Sequence, residues 1–249
     1  RLVGGEADQA FHDLEAASAL DADNIQADIT LIVAHLRRNE IAKAVTAVGT
    51  LEKKKPNDPI THNMKGGVLL ASKDMAGARK AFEKALEIKP DFLPALSNLA
   101  RLDIADKKIE VARKRYDDFI AKNPKSSLAY LQAAELLAVT GGKAKDIQAM
   151  LEKGLAAVPT AMPIRSALVR LLVQSGDTKR ALTLAQEASV AAPDDPVALD
   201  LLGRAQVAAG ENQQALSTYG KLASRVPNSP APLIAMADLQ MAGKDVTAA

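Results

Sequence analysis

The chain has no cysteine and no tryptophan, and aromatic side chains make up only 3% of its 249 residues. Without cysteine there is no disulfide, no zinc–thiolate site and no thiol nucleophile. The compartment stays open, because a cysteine-free protein is at home in the cytoplasm or the periplasm. The shortage of aromatic residues disfavours a sheet, where aromatic and β-branched side chains are expected, and favours many closely packed helices rich in alanine. An excess of one charge is also missing. The formal net charge is +2 with 25% charged residues, so there is no strong basic field for nucleic acid and no acidic tail. No apolar run approaches the roughly 20 residues needed to span a bilayer. No signal peptide is visible, and Arg1 in place of Met suggests a chain that begins inside a longer protein. What the chain does have is 48% hydrophobic residues, enough to build the core of one large domain or two small ones.

The organising stretch runs from Ala78 to Pro90. Ala78, Phe82, Ala85 and Leu86 fall at i, i+4, i+7 and i+8 and form one apolar stripe of a helix, with Lys80, Glu83, Lys84 and Glu87 on the solvent side. Pro90 stops it, having no N–H to donate and a ring that clashes with the preceding turn. One such helix is too thin to bury its own stripe, and the sequence supplies neighbours by repeating itself. Pro56, Pro90, Pro124, Pro159, Pro193 and Pro227 follow one another at gaps of 34, 34, 35, 34 and 34. Alanine stands twelve residues before five of them, at Ala44, Ala78, Ala112, Ala181 and Ala215, and the same frame reaches Ala10 and Ala249. Eight before come Val48, Phe82, Tyr116, Leu151, Ala185 and Tyr219. A fixed period near 34 is the mark of a helix–turn–helix solenoid.

This pattern resembles the tetratricopeptide repeat (TPR). Small residues in helix A (Gly66, Ala100, Ala134, Gly203) and alanine early in helix B let antiparallel helices approach closely, and Pro closes each repeat. Gly5, Gly141, Gly176 and Gly210 share one turn position, taken in another repeat by Asn39, as a left-handed helix terminus requires. The expected fold is all-α, a right-handed superhelical α-solenoid of TPR hairpins over residues 1–249. Residues 1–24 end a repeat, with helix B near 7–20. Full repeats occupy 25–58, 59–92, 93–126, 127–161, 162–195 and 196–229, and residues 230–249 supply helix A of one more. The fourth full repeat departs from the pattern: it carries one extra residue beside Gly141-Gly142 and Ile147 in place of alanine, so a local change of packing is expected there. The uncapped ends, near 7–20 and 232–241, predict partly bare apolar faces and possible end-to-end self-association.

Candidate catalytic groups have plainer readings. His12, His35 and His62 occupy different places in the frame with no ligand-spaced partner, so surface or groove histidines are expected rather than a metal site. Gly141-Gly142-Lys143 lacks the upstream glycine of a phosphate loop, is followed by Ala144 rather than Ser or Thr, and sits where a turn is required. Asp117-Asp118 reads as solvated surface and Asp194-Asp195 as a helix N-terminus. Lys53-Lys54-Lys55 ends a helix, where cations complement the dipole. No constellation is left for catalysis, so no enzyme activity, no cofactor and no metal are expected.

The TPR resemblance implies that the A helices line a concave groove through the second, fifth, ninth, twelfth and thirteenth residues of each repeat. The ninth place includes Arg101, Glu135, Arg170, Arg204 and Asp238; Asn63 holds a fifth place, and Asn98 lies beside another. Asn63, Asn98, Arg101, Glu135, Arg170 and Arg204 are the expected peptide-binding residues, because guanidinium forks and amides grip carboxylates and backbone amides. The competing reading is that the charges neutralise one another along the wall. The Lys/Asn/Arg carboxylate clamp of chaperone-type TPR proteins is not found.

Within the family, Lys65 to Ala71, Lys73 to Arg79, Asn98 to Asp103, Leu201 to Gln206 and Thr140-Gly141-Gly142 resemble the repeats of PEP-CTERM-system TPR lipoproteins, associated with exosortase-type sorting and exopolysaccharide production in Gram-negative bacteria. That resemblance implies a non-catalytic scaffold holding a polypeptide on the periplasmic side of a membrane, itself soluble and attached only through a lipid anchor outside this chain, with no nucleic-acid partner. The alternative is a helical-repeat RNA-binding module of the 35-residue kind, which the near-neutral charge and the 34-residue period disfavour.

Overall fold

Five alanines set how closely the helices approach: Ala44, Ala78, Ala112, Ala181 and Ala215 are all fully buried. In this computed structural model residues 9, 11–18 and 25–245 are described. After α1 (residues 11–18) the helices run in hairpins: α2 (Gln26–Arg37) with α3 (Ile41–Lys54), α4 (Pro59–Ala71) with α5 (Met75–Ile88), and α6 (Leu93–Ala105) with α7 (Ile109–Lys122). They continue as α8 (Ser127–Val139) with α9 (Ala144–Ala157), α10 (Met162–Gln174) with α11 (Thr178–Ala191), α12 (Pro196–Ala208) with α13 (Asn212–Arg225), and α14 (Ala231–Asp245). The fold is an all-α solenoid of sequentially paired helices, as the repeat frame predicts. Even-numbered helices are the A helices and odd-numbered ones the B helices.

Each repeat proline lies two residues beyond the end of its B helix, so the missing N–H falls where the ladder has already stopped. The next A helix starts at once. Asp58 accepts hydrogen bonds from the Ile60 N–H, and Asp195 from the Val197 and Ala198 N–H groups, at 2.7–2.9 Å. Asp195 is thus the N-cap expected of it, while Asp194 pairs with Arg225 at 2.5 Å. Between A and B, one residue per hairpin takes a left-handed conformation. It is Gly141, Gly176 or Gly210 in the later repeats, but Asn39, Lys73 and Lys107, at φ of 57°, 64° and 62°, in the earlier ones. A side chain held there costs about 1–2 kcal/mol. Lys73→Gly and Lys107→Gly, both exposed and outside any core, are therefore expected to stabilise the fold by about 1 kcal/mol each, read as a higher urea midpoint. An unchanged or lower midpoint would show that these turns carry no strain. In the fourth full repeat α9 begins three residues after Gly141, where the other hairpins need two, which accommodates the extra residue. Ile147 is half-buried there, in the place where the other repeats bury alanine.

Two compact units are distinguished, Arg1–Phe119 and Ile120–Ala249. In the first, one core gathers Phe82, Ala78, Ala85, Ala95, Leu99 and Leu102, and another gathers Ile32, Ala44, Val48, Leu51 and Val68. In the second, Leu199, Ala215, Tyr219 and Leu222 form a core on which Ala235, Met236 and Leu239 of α14 rest. Gly66 and Gly203 mark two close crossings of a hairpin's own helices. A Cβ on Gly66 would overlap the ring of Phe82, and one on Gly203 would sit 2.7 Å from Cζ of Tyr219.

Charged residues also enter the interior, which the sequence did not lead us to expect. Asp103 on α6 is buried and accepts from Arg79 Nη1 on α5 at 2.6 Å and Arg115 Nε on α7 at 2.5 Å; Arg79 Nη2 reaches Asp106 at 2.9 Å. Burial works against the charge of Arg79, but hydrogen bonding and attraction from Asp103 and Asp106 outweigh it and raise its pKa above the ordinary value. Asp28, equally buried, receives Ser18 Oγ at 2.6 Å and Lys54 Nζ at 2.8 Å. Lys54 therefore turns inward to a carboxylate, rather than serving only the end of its helix. Two of the three histidines are likewise not on the surface. His35 bonds Glu40 at 2.7 Å, and His62 donates to the Pro56 carbonyl at 2.7 Å; only His12 is exposed.

Candidate functional site

Residues 2, 5, 9, 12 and 13 of an A helix fall within about 100° of one another at 100° per residue, so they share one stripe. Which side of the stack that stripe occupies follows from the contacts. In the second unit α8 touches α10 and α10 touches α12, and in the first α2 touches α4. The consecutive B helices α3 and α5, α9 and α11, and α11 and α13 make no comparable contact among the described residues. Crowding of α2 on α4 in the first unit, and of α8, α10 and α12 in the second, beside splayed B helices puts these A helices on the inner wall within each unit.

The residues expected to bind a ligand lie on the A helices, but they differ in how far they are occupied already. In the first unit Asn98 Nδ2 donates to Asn63 Oδ1 at 2.9 Å, bridging α4 and α6, and Arg101 donates to Asn98 Oδ1. These three form a connected polar ladder, with both amides half-buried and Arg101 exposed. In the second unit Arg204 bonds its own-helix neighbour Asp200 at 2.7 Å. That hydrogen bond and attraction to the Asp200 carboxylate raise the pKa of Arg204 against its partial burial. Burial first, then Asp200, pushes the Tyr219 phenol up, while Arg204 pulls the other way. Glu135 on α8 and Arg170 on α10 are exposed and have no ion-pair partner among the described residues. Charge neutralisation along the wall thus describes Arg204 and not Glu135 or Arg170.

Reasoning from polar residues alone missed the aliphatic ones on the same stripe. Leu128, Val139, Val197 and Val207 are all exposed on A helices of the second unit. The signal was available: large apolar residues standing in places that face away from every core. On the other side of the hairpins, furrows between successive B helices hold ion pairs instead. One, of about 440 Å³, has Leu155, Leu168 and Leu184 at its floor, with Arg180 on Glu152 at 2.5 Å and Arg165 on Glu187 at 2.9 Å across its rim. Hydrogen bonds from Gln148 and Arg180 hold the Glu152 carboxyl below the usual range. Those charges are mutually satisfied and leave little to offer a ligand. Near the chain start, Glu40 is held down chiefly by its hydrogen bond to His35, whose ring lies 5.0 Å from that of Phe11, under Arg38.

The described part of the expected end faces can be placed. On α14 Leu233 is exposed off the inner stripe. Of helix 7–20, residues 9 and 11–18 are described, with Phe11 and Leu14 half-buried, while residues 7, 8, 10, 19 and 20 lie outside the described residues, as do Gly5 and Ala249. No helix among the described residues is long and apolar enough to cross a membrane.

In sequence, tetratricopeptide repeat families match residues 4–66, 69–135 and 138–205, and again 197–229. No curated protein matches the chain. In fold it is similar to PilW, described as a widely conserved type IV pilus biogenesis factor, with a TM-score of 0.55 and 20% identity over 86% of this chain and 96% of that one. It is also similar to PilF of Pseudomonas aeruginosa, with a TM-score of 0.51 and 17% identity over 86% of this chain and 96% of that one. A third likeness is to the Cut9–Hcn1 hetero-tetramer of APC/C, with a TM-score of 0.52 and 17% identity over 94% of this chain and 47% of that one. At such identities these likenesses concern the fold alone. The family matches extend over most of the chain, and the buried alanines, the tight Gly66–Phe82 crossing and the proline-ended B helices obey one frame. The chain belongs to the tetratricopeptide repeat family of non-catalytic protein–protein interaction scaffolds.

Proposed function

We infer that this chain holds a polypeptide against its A helices, with Asn63, Asn98, Arg101, Glu135, Arg170 and Arg204 as the polar contacts. The observation that carries the reading is that, within each unit, amides and charges from successive A helices stand on or beside the same stripe. In the first unit the Asn63–Asn98–Arg101 ladder offers donors and acceptors to the backbone amides or carboxylates of an extended segment. In the second unit Arg170 and Glu135 keep unspent charge. The finer reading places the scaffold on the periplasmic side of a Gram-negative envelope, in the PEP-CTERM sorting and exopolysaccharide export system, with membrane attachment only through a lipid anchor outside this chain. It is supported by the repeat motifs that resemble that group, such as Lys65 to Ala71 and Leu201 to Gln206. The repeats are read as one array over residues 1–249, and self-association through the exposed Leu233 flank of α14 belongs to the same proposal.

The test is capture of polypeptides from a Gram-negative envelope extract on the immobilised chain, beside an Arg101→Ala/Arg170→Ala variant. At least one captured polypeptide is expected to fall about tenfold or more in affinity, equivalent to about 1.4 kcal/mol. An identical capture profile and unchanged titration curves would overturn the assignment of the ligand to this stripe.

A further inference from the structure

The exposed large aliphatic residues are distributed differently in the two units. Among the described residues of the first, Val45, Met75 and Val111 lie on B helices, and only Ile60 stands on the inner stripe. Among the described residues of the second, six of the eight stand on that stripe. Leu128, Val197 and Ile234 occupy its N-terminal end, at places two and five, and Val139, Val207 and Met241 its C-terminal end, at places twelve and thirteen. Between them runs the ninth place, where Glu135, Arg170, Arg204 and Asp238 are exposed. The inner face of the second unit is therefore a trough with two aliphatic banks and a charged floor. At 1.5 Å per residue the banks stand about 10–16 Å apart along the A helices, which accommodates one α-helix of about 10–12 Å diameter.

Resting on the reading that the inner stripe takes a polypeptide, we propose that the trough of the second unit receives its partner as an amphipathic α-helix, with aliphatic side chains on both banks and a base and an acid seven residues apart on the floor. Two physical arguments select this occupant. A strand laid between the banks would turn one backbone edge to the floor, and that edge needs amide or hydroxyl partners at every second residue. The asparagines that could meet such an edge, Asn63 and Asn98, are in the first unit; on the second unit's stripe uncharged polar groups come from α10 alone, at Ser166 and Gln174, and the ninth place has side-chain charges. A strand would leave N–H and C=O groups unpaired beneath aliphatic banks, whereas a helix satisfies its own backbone. The second argument is charge. Glu135 and Arg170 stand on adjacent A helices, about 10 Å apart at normal packing distances, and neither is paired among the described residues. Seven residues of a helix advance about 10.5 Å and return to the same face, so a Lys or Arg facing Glu135 places a Glu or Asp seven positions away against Arg170. Arg204, already held by Asp200, adds no such demand.

The probe is a displayed library of random 16-residue peptides panned against the full chain, in parallel with Glu135→Lys/Arg170→Glu. Both positions are exposed, and circular dichroism checks that the double variant keeps its helix content. The original chain is expected to enrich proline-free sequences with a base and an acid at i and i+7 and aliphatics at i+3 and i+4. The double variant should enrich the opposite order and bind the first set at least tenfold more weakly. Enriched sequences that contain proline, or whose charges sit at strand spacing, but that are still lost on the charge swap, would overturn the helix and leave the groove reading intact. Enrichment indifferent to the swap would overturn both, and no enrichment over an unrelated display scaffold would overturn the helix proposal.

Discussion

Removing the two guanidinium groups that hold Asp103, by Arg79→Ala/Arg115→Ala, is expected to destabilise the first unit by about 3–5 kcal/mol. Asp103 is 1% exposed, and its two oxygens are taken by Arg79 Nη1 and Arg115 Nε. Without them a carboxylate remains in the interior with neither water nor a counter-charge. The reverse change, Asp103→Ala, should cost less, because Arg79 and Arg115 keep about a quarter of their side-chain surface and can swing outward to water. Replacing all three by apolar residues, as Arg79→Met/Asp103→Leu/Arg115→Met, should recover much of the loss, since an ion cluster in the interior is itself expensive to desolvate. Urea titration followed by far-ultraviolet circular dichroism gives the totals. Amide exchange over α5 to α7 localises them, as a repeat array need not unfold in one step. A cost below about 1 kcal/mol for the double alanine variant would mean that water reaches Asp103, contrary to its burial.

The second large effect concerns Phe82. Its ring is fully buried among Ala78, Ala85, Ala95 and Leu99, and it presses against the bare backbone of Gly66. Phe82→Ala should cost about 3–5 kcal/mol through lost burial and the cavity left behind. Gly66→Ala is informative because its sign depends on the ring. With Phe82 present, the new methyl overlaps the aromatic carbons, an overpacking of about 1–3 kcal/mol that outweighs the gain of up to about 1 kcal/mol in helix propensity. With Phe82→Ala in place the space is free, so the same substitution should stabilise. A double-mutant cycle showing additivity within about 0.5 kcal/mol would sink the account of Gly66 as room made for Phe82. Gly203 and Tyr219 repeat the arrangement in the second unit.

That pairing was legible from the sequence, and the reason is physical. A ring eight residues before proline and a glycine early in the same hairpin recur at one spacing, and only close approach of two helices requires both. The hairpin boundaries were legible for the same reason, since prolines and left-handed turn residues act locally. The turn residues were found at Asn39 and the glycines but not at Lys73 and Lys107, because lysine gives no sign in its chemistry of tolerating positive φ. Only the frame could have pointed to them. The interior charges were missed through reading residues singly. Asp103 stands where other repeats put Leu69, Leu137 or Leu172, and an acid in an apolar column is itself a demand for a partner. The partner is twelve residues on, at Arg115, just as Thr218 Oγ1 meets Gln206 Oε1 at 2.7 Å across the same interval. The polar part of the inner stripe was readable because the family frame says which places face inward. Its aliphatic banks were passed over, since exposure is a property of packing that no single residue carries.

The clasp on Asp103 also bears on how such arrays are thought to grow and shrink. Uniform solenoids tolerate excision of a unit, because each interface resembles the next. Here Asp103 is bound from the hairpin behind it as well as from its own. Cutting out residues 59–92 would bring Val45 to the place of Arg79, and an aliphatic tip would meet the carboxylate. The hairpins of this stretch are thus not interchangeable links, and their order in the chain is written into its interior chemistry.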